Sequence, residues 1–163
     1  MEARALADDR ETLLSECLIF RALDESGRRT LAARASHISC EAGETIFRIG
    51  DPGRSMMVVA EGTVSVSLPG TNGREIVLAE LSRGAVLGEL SLLDGRPRSA
   101  TATATSACRL LTLERPAIGP LLKSSPATCL AIIDLLCERL RKSDSRMVEI
   151  DVDRAAGHQL HDS

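Results

Sequence analysis

The sequence predicts an α+β, mainly β protein: an antiparallel β-roll (jelly roll, a double-stranded β-helix) flanked by N-terminal helices and a long C-terminal helix. Three observations predict it. Glycines at 43, 50, 53, 62, 70, 73, 84, 88 and 95 punctuate the middle of the chain at turn-like intervals, as between the short strands of a sandwich or barrel. Val64, Val66 and Leu68 alternate with Ser65 and Ser67, which gives a strand one buried and one wet face. Outside this stretch, apolar residues recur at three- and four-residue steps, the spacing of a helix face. The expected organisation is N-terminal helices over 1–35, the roll over 36–115, C-terminal helices over 116–150 and a flexible tail over 151–163.

Taken in order, Leu6, Leu13, Leu14, Cys17 and Leu18 mark the first helix, and Asp24 caps a second that holds Leu31. Each glycine of the roll is read first as a turn residue needing positive φ. Gly70-Thr71-Asn72-Gly73 reads as a hairpin loop. Further on, Ala100, Ala102 and Ala104 share a strand face with Arg98, while Thr101, Thr103 and Thr105 take the other. Small side chains beside an inward arginine leave space that a packed core would fill, which predicts a cavity.

Pro116 suits a helix start and Pro120 would break one, so the segment to Lys123 is a short or kinked helix. The long final helix then runs from about Ala127 to Ile150. Leu136, Leu140, Ser143, Met147 and Ile150 step by four and three, a heptad seam that predicts a homodimer through the C-terminal helix. The competing reading is a helix lying on its own roll.

Composition excludes several functions. The chain has 163 residues, one domain's worth, with 44% hydrophobic and 26% charged residues and a net charge of −3. That balance, with Phe20 and Phe47 as the two aromatics, argues against direct nucleic-acid binding. No apolar run approaches the roughly 18 residues of a membrane span, and the charged start is no secretory signal, so a cytoplasmic location and no membrane partner are expected. Five dispersed cysteines read as buried thiols. His37, His158 and His161 are too scattered for a catalytic metal, so no metal, no cofactor and no enzymatic activity are expected.

The chemistry concentrates in LGELSLLDGRPRSATATA, residues 87–104. A glycine before a short helical turn lets backbone N–H groups close around an anion. Arg98 adds a planar, always-charged fork suited to two phosphate oxygens. Glu89 cannot hold a phosphate, but its carboxylate accepts from a sugar hydroxyl. Together these groups describe a pocket for a sugar phosphate.

Gly88-Glu89-Leu90-Ser91-Leu92, five residues, then Arg98-Ser99-Ala100-Thr101-Ala102 resembles the phosphate-binding cassette of the cyclic nucleotide-binding domain family. The likeness extends over roughly Leu18 to Ile150 and is strongest here and in Gly43 through Gly62. The resemblance implies a nucleotide ligand and no cofactor. It implies contacts from Leu87, Gly88, Glu89, Leu90, Ser91, Arg98, Ser99 and Ala100, with Arg98 on the phosphate and Glu89 on the ribose 2′-hydroxyl. Strict alternation would point Ser99 away from Arg98, so Ser99 would reach the phosphate through its N–H or a distortion before the strand. Serine after the arginine favours cyclic AMP over cyclic GMP.

In the catabolite-activator branch of the family, two adjacent hydroxyl residues of the long helix meet the adenine. Those positions fall on Ser143 and Asp144; Asp144 departs from the hydroxyl pair and suits an adenine or a guanine. Arg141 is the competing base contact. The branch carries a helix-turn-helix after the long helix for which this sequence has no room, so the chain is expected to be a stand-alone sensor or a domain cut from a longer regulator. The expected function is a regulatory module that changes conformation or dimer geometry on binding a cyclic nucleotide. The alternatives are a Crp/Fnr-type regulatory domain without its DNA-binding half, or a dimerisation module with a decayed pocket. Leu87, in place of a frequent phenylalanine, supports the last.

Overall fold

The computed structural model describes the backbone of residues 2–159 and the side chains of residues 9–144. Helix α1 (Glu2–Glu16) and helix α2 (Glu25–Arg34) come first. Asp24 begins α2 in extended conformation and accepts the Gly27 N–H at 2.7 Å, a cap worth about 1 kcal/mol. Strands β1 (Ser36–Cys40), β2 (Thr45–Phe47), β3 (Ser55–Glu61), β4 (Val64–Pro69), β5 (Glu75–Leu81) and β6 (Val86–Leu87) follow. Then come helix α3 (Glu89–Asp94), strands β7 (Thr101–Ala104) and β8 (Cys108–Glu114), and helices α4 (Arg115–Ser124) and α5 (Pro126–Gln159).

The strands form two antiparallel four-stranded sheets, in the order β1-β8-β3-β6 and β2-β7-β4-β5. The central strands of the first sheet, β8 and β3, are buried on both faces. Strand β3 therefore reads as an unbroken apolar run, Met56 to Ala60, every residue of it buried. Met56, Val58 and Ala60 join Leu111 and Leu113 against a helical layer of Leu13, Leu14, Ile19, Phe20, Leu31 and Ile118. Met57 and Val59 point the other way, into the roll, to meet Val64, Ala102, Ala104, Cys108 and Leu110. An antiparallel roll with a long C-terminal helix is what the glycine spacing and terminal periodicities predict.

Four details differ from expectation. Gly53 and Gly70 are not among the positive-φ glycines, whereas Gly43, Gly50, Gly62, Gly73, Gly84, Gly88 and Gly95 are. The β4–β5 register slips between Val66 and Ser67, and Ser67 is buried at 2% exposure instead of lying on a wet face. Helix α5 continues to Gln159, nine residues past the end expected at Ile150. Of the thiols, Cys17 and Cys108 are buried, Cys40 and Cys129 half-buried and Cys137 exposed.

Helix α4 accommodates Pro116 in its first turn and Pro120 within a ten-residue span, then gives way to α5 at a bend of 112°. Along α5, Leu136 packs against the helical side of the core while Leu140 stays 66% exposed. The expected seam is thus split between the two readings. The side chains of Met147, Ile150 and His158, and all of His161, lie outside the described residues. Among the described residues no single helix is long and apolar enough to cross a membrane.

Candidate nucleotide site

The stretch after β6 turns on two glycines. Gly88 sits in the left-handed region at φ 78° and starts α3; Gly95, at φ 70°, ends it, its N–H donating to the Ser91 carbonyl at 2.9 Å. The chain then passes Pro97 to Arg98, whose backbone is pinned on both sides. Its N–H donates to the Asp51 carbonyl and its own carbonyl accepts the Gly50 N–H, each at 2.8 Å.

This anchoring drives the Arg98 side chain inward, leaving it 5% exposed. Nη1 donates to the carbonyls of Ser55 (2.7 Å) and Gly88 (3.1 Å), and Nη2 to the Ser55 hydroxyl (3.1 Å). The guanidinium carbon lies 4.3 Å from the centre of the Phe47 ring, a cation–π contact from β2. Nε is buried without a hydrogen-bond partner. Among the described residues no carboxylate pairs with this cation, and burial lowers its pKa, Asp51 nearby opposing that shift. An arginine is still protonated at neutral pH, so the roll buries a positive charge whose described partners are carbonyls, a hydroxyl and an aromatic ring.

Gly53 makes this arrangement possible. A Cβ there would stand 2.7 Å from Arg98 Nε and 2.7 Å from the Ser91 Cβ, so Gly53 serves close approach and not turn geometry. Gly88 serves both, since a Cβ on it would also collide with the Arg98 guanidinium.

Glu89, the first residue of α3, is 3% exposed. Its Oε1 accepts from Nη1 of Arg139, on α5, while Oε2 is buried without a partner. Arg139 also donates through Nη2 to the Val86 carbonyl at 2.8 Å, and burial lowers its pKa. One charged pair thus ties the cassette to the long helix.

The cassette residues occupy distinct surroundings. Leu87 and Ser91 are buried, Ala100 is 8% exposed against the roll, Leu90 is 40% exposed and Ser99 points outward. The alternation expected after Arg98 holds, with Ala102 and Ala104 buried. On α5, Arg141, Ser143 and Asp144 are exposed and make no described contact with the cassette. Ser143 lies four residues after Arg139, on the same helical face; Arg141 is turned away from it.

Sequence reading missed Ser55, Gly53, Phe47 and Arg139. Only the fold brings them to Arg98 and Glu89. A cavity of about 160 Å³, bordered by Ile49, Ser67, Arg74, Glu75 and Thr101, takes Thr101 from the cassette but neither Glu89 nor Arg98. Among the described residues no three His, Cys, Asp or Glu side chains gather as a metal site would need.

Comparison with known proteins agrees with this geometry. Residues 37–125 match the sequence profile of the cyclic nucleotide-binding domain. A CRP-like cAMP-activated global transcriptional regulator of Mycobacterium tuberculosis is 24% identical over 140 residues, 86% of this chain and 62% of the relative. The cyclic AMP receptor protein of Thermus thermophilus is 37% identical over 110 residues, 68% of this chain and 50% of the relative. This chain therefore spans between half and 62% of the length of these two relatives. Among solved structures, the N-terminal domain of a transcriptional regulator from Streptomyces coelicolor superposes with a TM-score of 0.66 at 36% identity, covering 83% of this chain and 94% of that one. The two-sheet roll, the glycine-led cassette and the profile match over most of the roll lead to one conclusion: this chain belongs to the cyclic nucleotide-binding domain family.

Proposed function

We propose that this chain is a regulatory sensor of cyclic AMP, with cyclic GMP the weaker ligand, and that it carries out no chemistry on its ligand. The observation that carries the reading is Arg98: a cation at 5% exposure, held by carbonyls and a hydroxyl, with its Nε unpartnered. A desolvated guanidinium lacking a carboxylate gains most from a phosphate, which restores the missing counter-charge. Glu89 supplies the second anchor. Its Oε2 wants a donor that Arg139 does not supply, and a ribose 2′-hydroxyl is such a donor. The phosphate is completed by backbone N–H groups around Gly88 to Ser91 and at Ser99, whose outward side chain leaves its N–H as the contacting group.

The response travels through the pair that Glu89 makes with Arg139. A ligand that adds a hydrogen bond to Glu89 changes the environment of the α5 anchor, and Ser143 and Asp144, one turn beyond, become the groups for the base. Binding then shifts the population of α5 positions. Exposed Leu130, Ile133 and Leu140 form an apolar stripe on α5 that supports a homodimer through this helix, to be checked by sedimentation equilibrium. Likeness to CRP-like regulators supports a role inside, or beside, a regulator of gene expression.

Calorimetric titration of cyclic AMP and cyclic GMP tests the reading. Arg98→Leu is expected to weaken binding by at least about 100-fold, since it removes the charge-assisted bonds to the phosphate. Ligand at 100 times Kd should stabilise the wild type by about 2.7 kcal/mol. Absence of binding by the wild type would remove the sensor reading.

A further inference from the structure

The cysteines that the sequence reads as inert, dispersed thiols include one close pair. Cys40 is the last residue of β1 and Cys108 the first of β8, and the two face each other across the antiparallel ladder. Directly opposed residues share a face, with Cα atoms about 4.5–5.5 Å apart, inside the span of about 4.4–6.8 Å that a disulfide bridges. Cys108 belongs to the apolar cluster inside the roll, and Cys40 packs against that cluster. Neither has another of the described cysteines as its strand partner.

We propose that Cys40 and Cys108 are a reversible thiol–disulfide pair, oxidised by a small-molecule disulfide of the glutathione type. Cys40 is the entry point because it is half-buried, whereas Cys108 is 5% exposed and acts as the resolving thiol. The Cys40 thiolate attacks one sulfur of the oxidant, forming a mixed disulfide and releasing the first thiolate. Cys108 then attacks the Cys40 sulfur and displaces the second. Two protein thiols become one disulfide; the oxidant becomes two thiols, which carry away the two protons. Burial raises the Cys40 pKa, and Glu44 and Cys108 beside it add to the effect, so the reaction accelerates as pH rises toward that pKa.

Directly opposed Cβ atoms stand about 4.5–5.5 Å apart and a disulfide holds them at about 3.5–4.5 Å, so closure draws the two strand ends together by about 1 Å. The Cys108 thiol now points at the carbonyls of Thr63 (3.1 Å) and Ser106 (3.2 Å), and a side-chain rotation gives up those weak bonds. Around it the main chain is closely packed, since a Cβ on Gly62 would stand 3.0 Å from the Cys108 Cα. The pair occupies a corner of the roll. After Cys40 the chain crosses to β2, and before Cys108 it arrives from β7, and those two strands pair in the other sheet. A bond here would staple the two crossings together, independently of any nucleotide.

The test uses the full chain, incubated folded with oxidised glutathione at mildly alkaline pH, quenched with N-ethylmaleimide and digested with trypsin. Cys40 and Cys108 fall on separate tryptic peptides, 35–48 and 99–109, each holding a single cysteine. The expected result is these peptides joined to each other, an intact mass lower by two hydrogens, and reversal by dithiothreitol. Cys108→Ser should trap Cys40 as its glutathione adduct, and Cys137→Ser should leave the joined peptides unchanged. Recovery of the two peptides only free, only glutathionylated, or joined to Cys137 of a second copy would overturn the proposal. The wild-type digest decides the matter even where a variant folds poorly.

Discussion

The two faces of the first sheet bury different things. The helix-facing side is filled with large aliphatic and aromatic groups, Leu13, Leu14, Phe20, Leu31 and Leu113 among them, each at 2% exposure or less. The roll-facing side mixes small residues, Ala102, Ala104 and Cys108, with Met57, Leu87 and Leu110, and runs on to the desolvated charges of Arg98 and Glu89. One side buries an apolar cluster against the helices; the other sets buried charges beside its apolar cluster. Stability and recognition are thus separated by a single layer of backbone, and variants on the two sides should separate them too.

The largest effect is expected on the helical side. Leu31→Ala, at a fully buried position, should cost about 2–5 kcal/mol in a denaturant titration and leave nucleotide affinity in the folded fraction unchanged. A parallel loss of affinity would break the separation. Next comes the link between the regions. Arg139→Leu leaves the Glu89 carboxylate buried and unpaired, at roughly 2–4 kcal/mol, toward the lower end because the Arg139 side chain is 37% exposed. Adding Glu89→Gln should recover part of that loss, a coupling that a double-mutant cycle measures.

Gly53→Ala sits at the cassette and should act on both quantities. Its new Cβ must displace Arg98 or Ser91, which costs about 1–3 kcal/mol and weakens nucleotide binding in the same titration. The smallest effect is a pH dependence on the helical side. His37, on β1, is held below its ordinary 6.5 first by burial, then by Arg10 of α1 and Arg109 of β8, with Asp9 of α1 opposing. A depressed histidine pKa means that the unfolded chain binds the proton more readily. The stabilisation is therefore complete above about pH 6.5 and is lost as pH falls toward the folded value. Thermal unfolding across pH 5–7 should slope less in His37→Gln than in the wild type.

Much of the fold was legible because local chemistry and architecture agree. The glycines of the roll mark its turns, Asp24 caps its helix, and the alanines of β7 line the interior with Arg98. The exceptions are tertiary. Nothing local marks Gly53 as the space for a guanidinium, because that space is created by a residue 45 positions later in the sequence. Ser67 alternates as an outer-face residue should, and a register slip with neighbouring structure buries it. In the candidate site, Glu89 and Arg98 were visible from residue type and spacing. Arg139 was not, since its partner is 50 residues away and the periodicity of α5 is divided between packing on the roll and facing outward.

The ladder between β1 and β8 also sets the order in which the chain can fold. Ser36 pairs with Thr112 and Cys40 with Cys108, so the first strand of the roll has no partner until the last has been made. At about 5–20 residues per second, a ribosome leaves β1 waiting several seconds for that strand to emerge. Pairings of this range also slow the search once the chain is free, because a long loop closes before any contact rewards it. The helical hairpin of α1 and α2, formed from neighbours in sequence, is available much earlier, and it can shield the apolar face of the nascent strands while they wait.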